Sequence, residues 1–115
     1  MDERYELVLK RFDDNIKKGQ VFVHRAFSNE VCRDFPDNHF DWIYIDGNHL
    51  YEFVKRDLES YCQKVKVGGY ITGDDYAGWG WWQGGVKKAV DEFIRTKRVK
   101  PEGIKNGQFS LIRVC

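Results

Sequence analysis

Two apolar runs, each closed by an acid, constrain this chain more than any other feature. Residues 40–46 read FDWIYID and residues 70–75 read YITGDD, and their closing acids Asp46 and Asp74 stand 28 positions apart (74 − 46). A run that is apolar at almost every position is the pattern of a strand buried on both faces in a parallel sheet. Between the runs, Tyr51, Val54, Leu58, Tyr61, Cys62 and Val65 mark one face of a helix. The VGG at 67–69 reads as a turn into the second run. Strand, helix and strand predict a right-handed crossover between parallel, adjacent strands.

The flanking sequence fits the same class. Tyr5, Val8, Leu9, Phe12 and Ile16 fall at helical spacing up to Gly19. QVFVHRAF, residues 20–27, is β-branched and aromatic and reads as a strand. Ser28 is an N-cap candidate for a short helix through Phe35. After the second acid-closed run comes YAGWGWWQGG, then a helix with Val86, Ala89, Val90, Phe93 and Ile94 facing inward. RVKPEGI and GQFSLIRV form a hairpin around Asn106-Gly107, a strong turn signal. The expectation is one α/β domain over residues 1–115, with helices on both faces of a mostly parallel sheet and an antiparallel pair at its end.

Neighbouring strands lie about 4.8 Å apart. The carboxyl ends of two adjacent parallel strands therefore bring Asp46, Asp74 and Asp75 to one edge, where open α/β sheets bind ligands. Three carboxylates together repel one another unless a proton or a hard divalent cation neutralises them. Oxygen donors alone favour Mg²⁺, Mn²⁺ or Ca²⁺. Asp-Gly and Asp-Asp also serve as turn and cap chemistry, so both readings stand at this point.

Composition narrows the partners. The formal net charge is +1, which gives no strong field for nucleic acid or a membrane surface. The three cysteines, at 32, 62 and 115, show no zinc spacing and read as free thiols of a reducing compartment. No apolar run approaches the roughly 18 residues a membrane span needs. A cytoplasmic protein is expected, with no nucleic-acid or membrane partner.

Taken together, FDWIYIDGNHLYEFVKRDLESYCQKVKVGGYITGDDY and the later GGVKKAVDEF resemble the class I S-adenosylmethionine-dependent methyltransferases. They look most like the small-molecule group with Asp-Gly-x-His-x-Tyr after the fourth strand and Gly-Asp-Asp-Tyr after the fifth. The resemblance implies a Rossmann-like methyltransferase sheet and O-methyl transfer to a small hydroxylated acceptor. It implies that Ser28, Asp46 and His49 contact S-adenosylmethionine, and that Asp46, Asp74 and Asp75 hold Mg²⁺ or Mn²⁺. Asp46 and His49 become the catalytic candidates. His49 can act as general base or stack beside the cofactor; equally, it can be a hydrogen-bonded histidine at a helix start. Tyr76, Trp79, Trp81 and Trp82 fall where the family faces its acceptor. The three tryptophans can instead pack over the sheet end or against a partner chain.

The resemblance starts after the family's second strand. The chain contains GWGWWQGG after the fifth strand but no GxGxG ahead of the fourth, and no ribose-binding acid after a second strand. The reading is therefore a partial domain, truncated by two strands and inactive on its own, with weak or no cofactor binding. In the family's sheet order, residues 40–46 would become a bare edge. A homodimer through that edge is expected, unless residues 20–27 slide in beside it. The alternative function is a non-catalytic remnant that acts as an interaction or oligomerisation module.

Overall fold

The computed structural model describes residues 2–46, 50–76 and 84–115. Its sheet has four strands: β1 (Phe40–Ile45), β2 (Val65–Gly73), β3 (Val99–Lys105) and β4 (Gln108–Arg113). The spatial order is β1-β2-β4-β3. β1 and β2 are parallel neighbours, as the acid-closed runs predict, with Ile43 opposite Ile71 and Ile45 opposite Gly73. β4 runs antiparallel to both β2 and β3. The β3–β4 turn is Asn106-Gly107, with φ of 55° and 76°. Two successive positive φ values match the right-handed twist of a hairpin, which is why Asn-Gly is favoured there.

Two helices complete the core: α4 (Tyr51–Cys62) and α5 (Gly85–Arg95). Val54, Leu58 and Cys62 of α4 and Val86, Ala89, Val90 and Phe93 of α5 close over Val65, Ile71, Phe109 and Leu111 of the sheet. Strand alternation sends the remaining side chains to the opposite face. On that face Trp42, Tyr44 and Tyr70 are exposed. Of the two faces expected to carry helices, α4 and α5 cover one.

The N-terminal part departs from expectation in three places. The single helix predicted up to Ile16 is divided at Phe12 into α1 (Asp2–Arg11) and α2 (Asp13–Lys17). Asp13, Asp14 and Asn15, residue types of low helix propensity, follow directly on the break. Residues 20–27, expected to be a strand, are neither strand nor helix. β-propensity reflects packing against neighbouring strands, and here no described strand lies beside them. The short helix is α3 (Ser28–Val31), continued by a 3₁₀ turn (Cys32–Asp34). Its N-cap position belongs to Phe27, extended at φ −70° and ψ 140°, so Ser28 is the first helical residue rather than the cap.

A fourth correction lies inside β2. Val67-Gly68-Gly69 is not a turn before the strand but part of it. Phe40 pairs with Val65 and Trp42 already with Tyr70, so the extra β2 residues bulge out. Gly68 takes the left-handed φ of 89° that this bulge requires.

Candidate functional site

The carboxyl ends of β1 and β2 are held side by side by a glycine. A methyl group on Gly73 would lie 2.4 Å from the Phe109 ring and 2.8 Å from the Ile45 carbonyl. Only hydrogen fits between that ring and the neighbouring strand. The next residues along the two strands are Asp46 and Asp74. Asp46, Asp74 and Asp75 bring one carboxylate oxygen each within 4.8 Å of one another, Asp46 exposed and the other two half-buried.

The Asp74–Tyr76 turn is pinned from several sides. Asp75 has a left-handed φ of 62°, uncommon for a residue with a side chain. Its N–H donates to Asp74 Oδ1 at 2.8 Å. The Tyr76 N–H donates to the carbonyl of Gly107, in the hairpin turn, at 2.8 Å. The Tyr76 hydroxyl donates to Asp91 Oδ1 on α5 at 2.6 Å. Lys87 Nζ grips the other Asp91 oxygen at 2.6 Å. Burial would raise the Asp91 carboxyl, but the hydrogen bonds from Lys87 and Tyr76 outweigh it and hold the group below its usual range. The Tyr76 phenol is pushed up, first by burial and then by its bond to Asp91.

The acids also act on Tyr44, whose phenol is raised first by desolvation and then by the charges of Asp74 and Asp46. From Asp46 along β1 runs a cleft of about 380 Å³, lined by Ser28, Trp42, Tyr44, Asp46, Asp57 and Tyr61 among others. Ser28 Oγ donates to Asp57 Oδ1 at 2.6 Å. The Tyr61 hydroxyl donates to the Ser28 carbonyl. Burial is the first cause that pushes the Tyr61 phenol up to about 12.

The sequence-predicted residues thus divide into three groups. Asp46, Asp74 and Asp75 meet, with Tyr76 immediately behind them. Ser28 and Asp46 line one cleft, although Ser28 faces Asp57. His49, Trp79, Trp81 and Trp82 lie outside the described residues. Sequence reasoning missed Asp57 and Asp91. Asp57 had a visible signal: it sits between Val54 and Tyr61 on the apolar stripe of α4 and is the one buried charged side chain among the described residues. Asp91 had none, because a Lys-x-x-x-Asp pair on a helix reads as ordinary surface.

Comparison with known proteins bears on the family and the fold. A family model described as a methyltransferase domain matches residues 2–76. An uncharacterized protein, R132, of Acanthamoeba polyphaga mimivirus is 43% identical, over 71% of this chain and 42% of its own length. The structure of the O-methyltransferase NovP superposes with a TM-score of 0.55 and 28% identity, over 70% of this chain and 32% of NovP. A Corynebacterium glutamicum protein of known structure covers all of this chain with 58% of its own, at a TM-score of 0.74. Its 12% identity speaks for the fold alone. The chain spans less than two thirds of the length of each of these relatives.

Proposed function

Because the chain belongs to the methyltransferase-domain family of class I S-adenosylmethionine-dependent methyltransferases, we propose that it forms the acceptor-side part of an O-methyl transfer site for a small hydroxylated molecule. One observation carries this reading: the three acids that the family resemblance assigns to a metal converge within 4.8 Å at the carboxyl ends of adjacent parallel strands. The donor set fits a hard divalent cation, since all three ligands are carboxylate oxygens and their mutual repulsion calls for a positive charge. Asp46, Asp74 and Asp75 would hold Mg²⁺ or Mn²⁺, which when bound lowers the pKa of a coordinated hydroxyl.

The chain's own residues do the positioning. Asp75 N–H orients the Asp74 carboxylate. Tyr76 fastens the turn to the hairpin and to α5. Asp46, the most exposed of the three acids, faces solvent and is the one an acceptor hydroxyl reaches first. Ser28 and Asp57, joined at 2.6 Å, form the polar floor of the neighbouring cleft. By family position Ser28 contacts the adenine of S-adenosylmethionine, and His49 stands as candidate base. Tyr76 and the tryptophans at 79, 81 and 82 are the candidate acceptor platform.

Thermal melts in Mg²⁺ or Mn²⁺ test the reading. A cation at one hundred times its Kd stabilises by about 2.7 kcal/mol, and Asp74→Asn should abolish the gain. Were millimolar Mg²⁺ and Mn²⁺ both to leave the melting temperature unchanged, and Asp74→Asn to be neutral, the acids would be turn and cap residues. Calorimetry with S-adenosylmethionine is expected to show weak binding by this chain alone, and low-micromolar affinity would contradict that expectation.

A further inference from the structure

α5 touches both segments that carry the acids, and it does so through two tyrosines. Tyr51, the first residue of α4, stands five positions after Asp46 (51 − 46). Its hydroxyl donates to Glu92 Oε2 on α5, and Lys88 Nζ lies 4.4 Å from the centroid of its ring. Tyr76 follows directly on Asp75, and its hydroxyl donates to Asp91 Oδ1 at 2.6 Å. Lys87 Nζ lies 5.2 Å from the Tyr76 ring centroid. The same arrangement, a phenol on a carboxylate with an ammonium near the ring, thus occurs twice. Its acids are consecutive residues of α5, as are its lysines, and consecutive residues of a helix point about 100° apart. One pair therefore faces the start of α4 and the other the turn after β2. Neither Asp91 nor Glu92 belongs to the acid cluster itself.

We propose that Tyr51 and Glu92 are positioning residues: with the Tyr76–Asp91 bond they make α5 a rigid bridge that sets the separation of Asp46 from Asp74 and Asp75. Rigidity comes from the core. Gly85, Val86, Ala89, Val90 and Phe93 of α5 are buried, so the helix cannot turn one of its two acids without moving the other. Both bonds have a carboxylate acceptor, and hydrogen bonds to an ionised partner are roughly twice as strong as neutral ones. Both tyrosines also pack against the core, so each hydroxyl is aimed rather than free to swing. Contacts that share one rigid element are coupled, and the coupling is the same read from either end. Only the role given to the three acids rests on the O-methyl transfer reading; the bridge stands on the geometry of α5.

Amide hydrogen exchange of the whole chain tests the bridge. The Phe53 and Val54 N–H groups, both bonded to the Leu50 carbonyl, report on the start of α4, and the Tyr76 N–H, bonded to the Gly107 carbonyl, reports on the acid turn. Tyr51→Phe should speed exchange at Tyr76, and Tyr76→Phe should speed it at Phe53 and Val54, each by about fivefold, the lower end of ordinary coupling between sites. Glu92→Ala should act like Tyr51→Phe, whereas Glu92→Gln keeps an acceptor oxygen and should stay close to the parent chain. A tyrosine that only stabilises its own element would speed exchange there and nowhere else; that result, or a silent Glu92→Ala, would overturn the bridge. Mn²⁺ titration of the same variants reads the consequence. Affinity should fall in step with the exchange cross-effect, and unchanged affinity beside a parent chain that binds would overturn the control of acid spacing. A parent chain with no Mn²⁺ affinity would sink the metal site, while the exchange cross-effect still decides the bridge.

Discussion

Residues 2–35 and residues 40–113 differ in what their apolar side chains touch. Every core residue except Cys32 comes from the stretch between Val54 and Phe109–Leu111. In α2 and α3 no residue is buried, and Leu7 and Val8 of α1 and Phe12 at the break are exposed. The two parts have similar sequence quality: both alternate charged positions with apolar ones at helical or strand spacing. What separates them is a supply of neighbours. A strand needs a strand, and an amphipathic helix needs a surface to cover. The later part finds both within the chain, whereas the earlier part keeps its pattern without its partners.

The largest expected effect tests that contrast directly. Leu58→Ala removes a side chain with no exposed surface from the α4–sheet contact and should cost about 2–5 kcal/mol. Leu7→Ala makes the same chemical change at a position 64% exposed and should stay within about 0.5 kcal/mol. Urea unfolding of the two variants reads the difference. Equal losses would mean that the first helix is packed in solution and that the contrast is false.

A second effect concerns the contact that sets the acids side by side. Gly73→Ala drives a methyl into the Phe109 ring, and overpacking of this kind costs about 1–3 kcal/mol. Gly103→Ala, on edge strand β3 with nothing within 4 Å of the new methyl, should be neutral or slightly stabilising. If Gly73→Ala melts with the parent chain, the Phe109 ring gives way easily and does not set the strand spacing.

A third effect, of similar size, tests the tie between the two parts. Ser28→Ala leaves the buried Asp57 carboxylate without its Ser28 donor, a loss of about 1–3 kcal/mol for an unsatisfied buried group. Exchange of α3 amides should rise with it. Unchanged stability would show that water replaces the hydroxyl and that α3 is held by its other contacts.

Much of the later part was legible before any coordinates. The runs at 40–46 and 70–75, the helical spacing of Val54, Leu58 and Cys62, and the Asn106-Gly107 turn each specify a local answer that agrees with the whole sheet. Consistency between levels is what makes such sequence readable. The strand at 20–27 was misread because its propensity is real but its partner is not in the sheet. Val67-Gly68-Gly69 was misread because two glycines signal a turn and a bulge equally well. In the site, the convergence of Asp46, Asp74 and Asp75 followed from strand order alone. The Ser28–Asp57 and Tyr76–Asp91 bonds did not, because each joins residues on different elements whose spacing encodes nothing about their contact.

The smallest expected effect isolates Asp91. Its carboxyl titrates below the ordinary value of 3.8, burial being outweighed by the hydrogen bonds from Lys87 and Tyr76. The unfolded chain lacks those bonds and titrates at the ordinary value. The folded state therefore binds the proton more weakly, and the stabilisation is fully present above the unfolded pKa. It is lost as pH falls through the depressed folded value. Lys87 is largely exposed, so solvent screening keeps the contribution modest. Asp91→Asn should thus lower the melting temperature slightly near neutrality, with the gap from the parent chain closing below about pH 4. Tyr76→Phe should reproduce part of the loss, since it removes one of the two donors. A gap that stays constant from neutral to acid pH would show that Asp91 acts through packing.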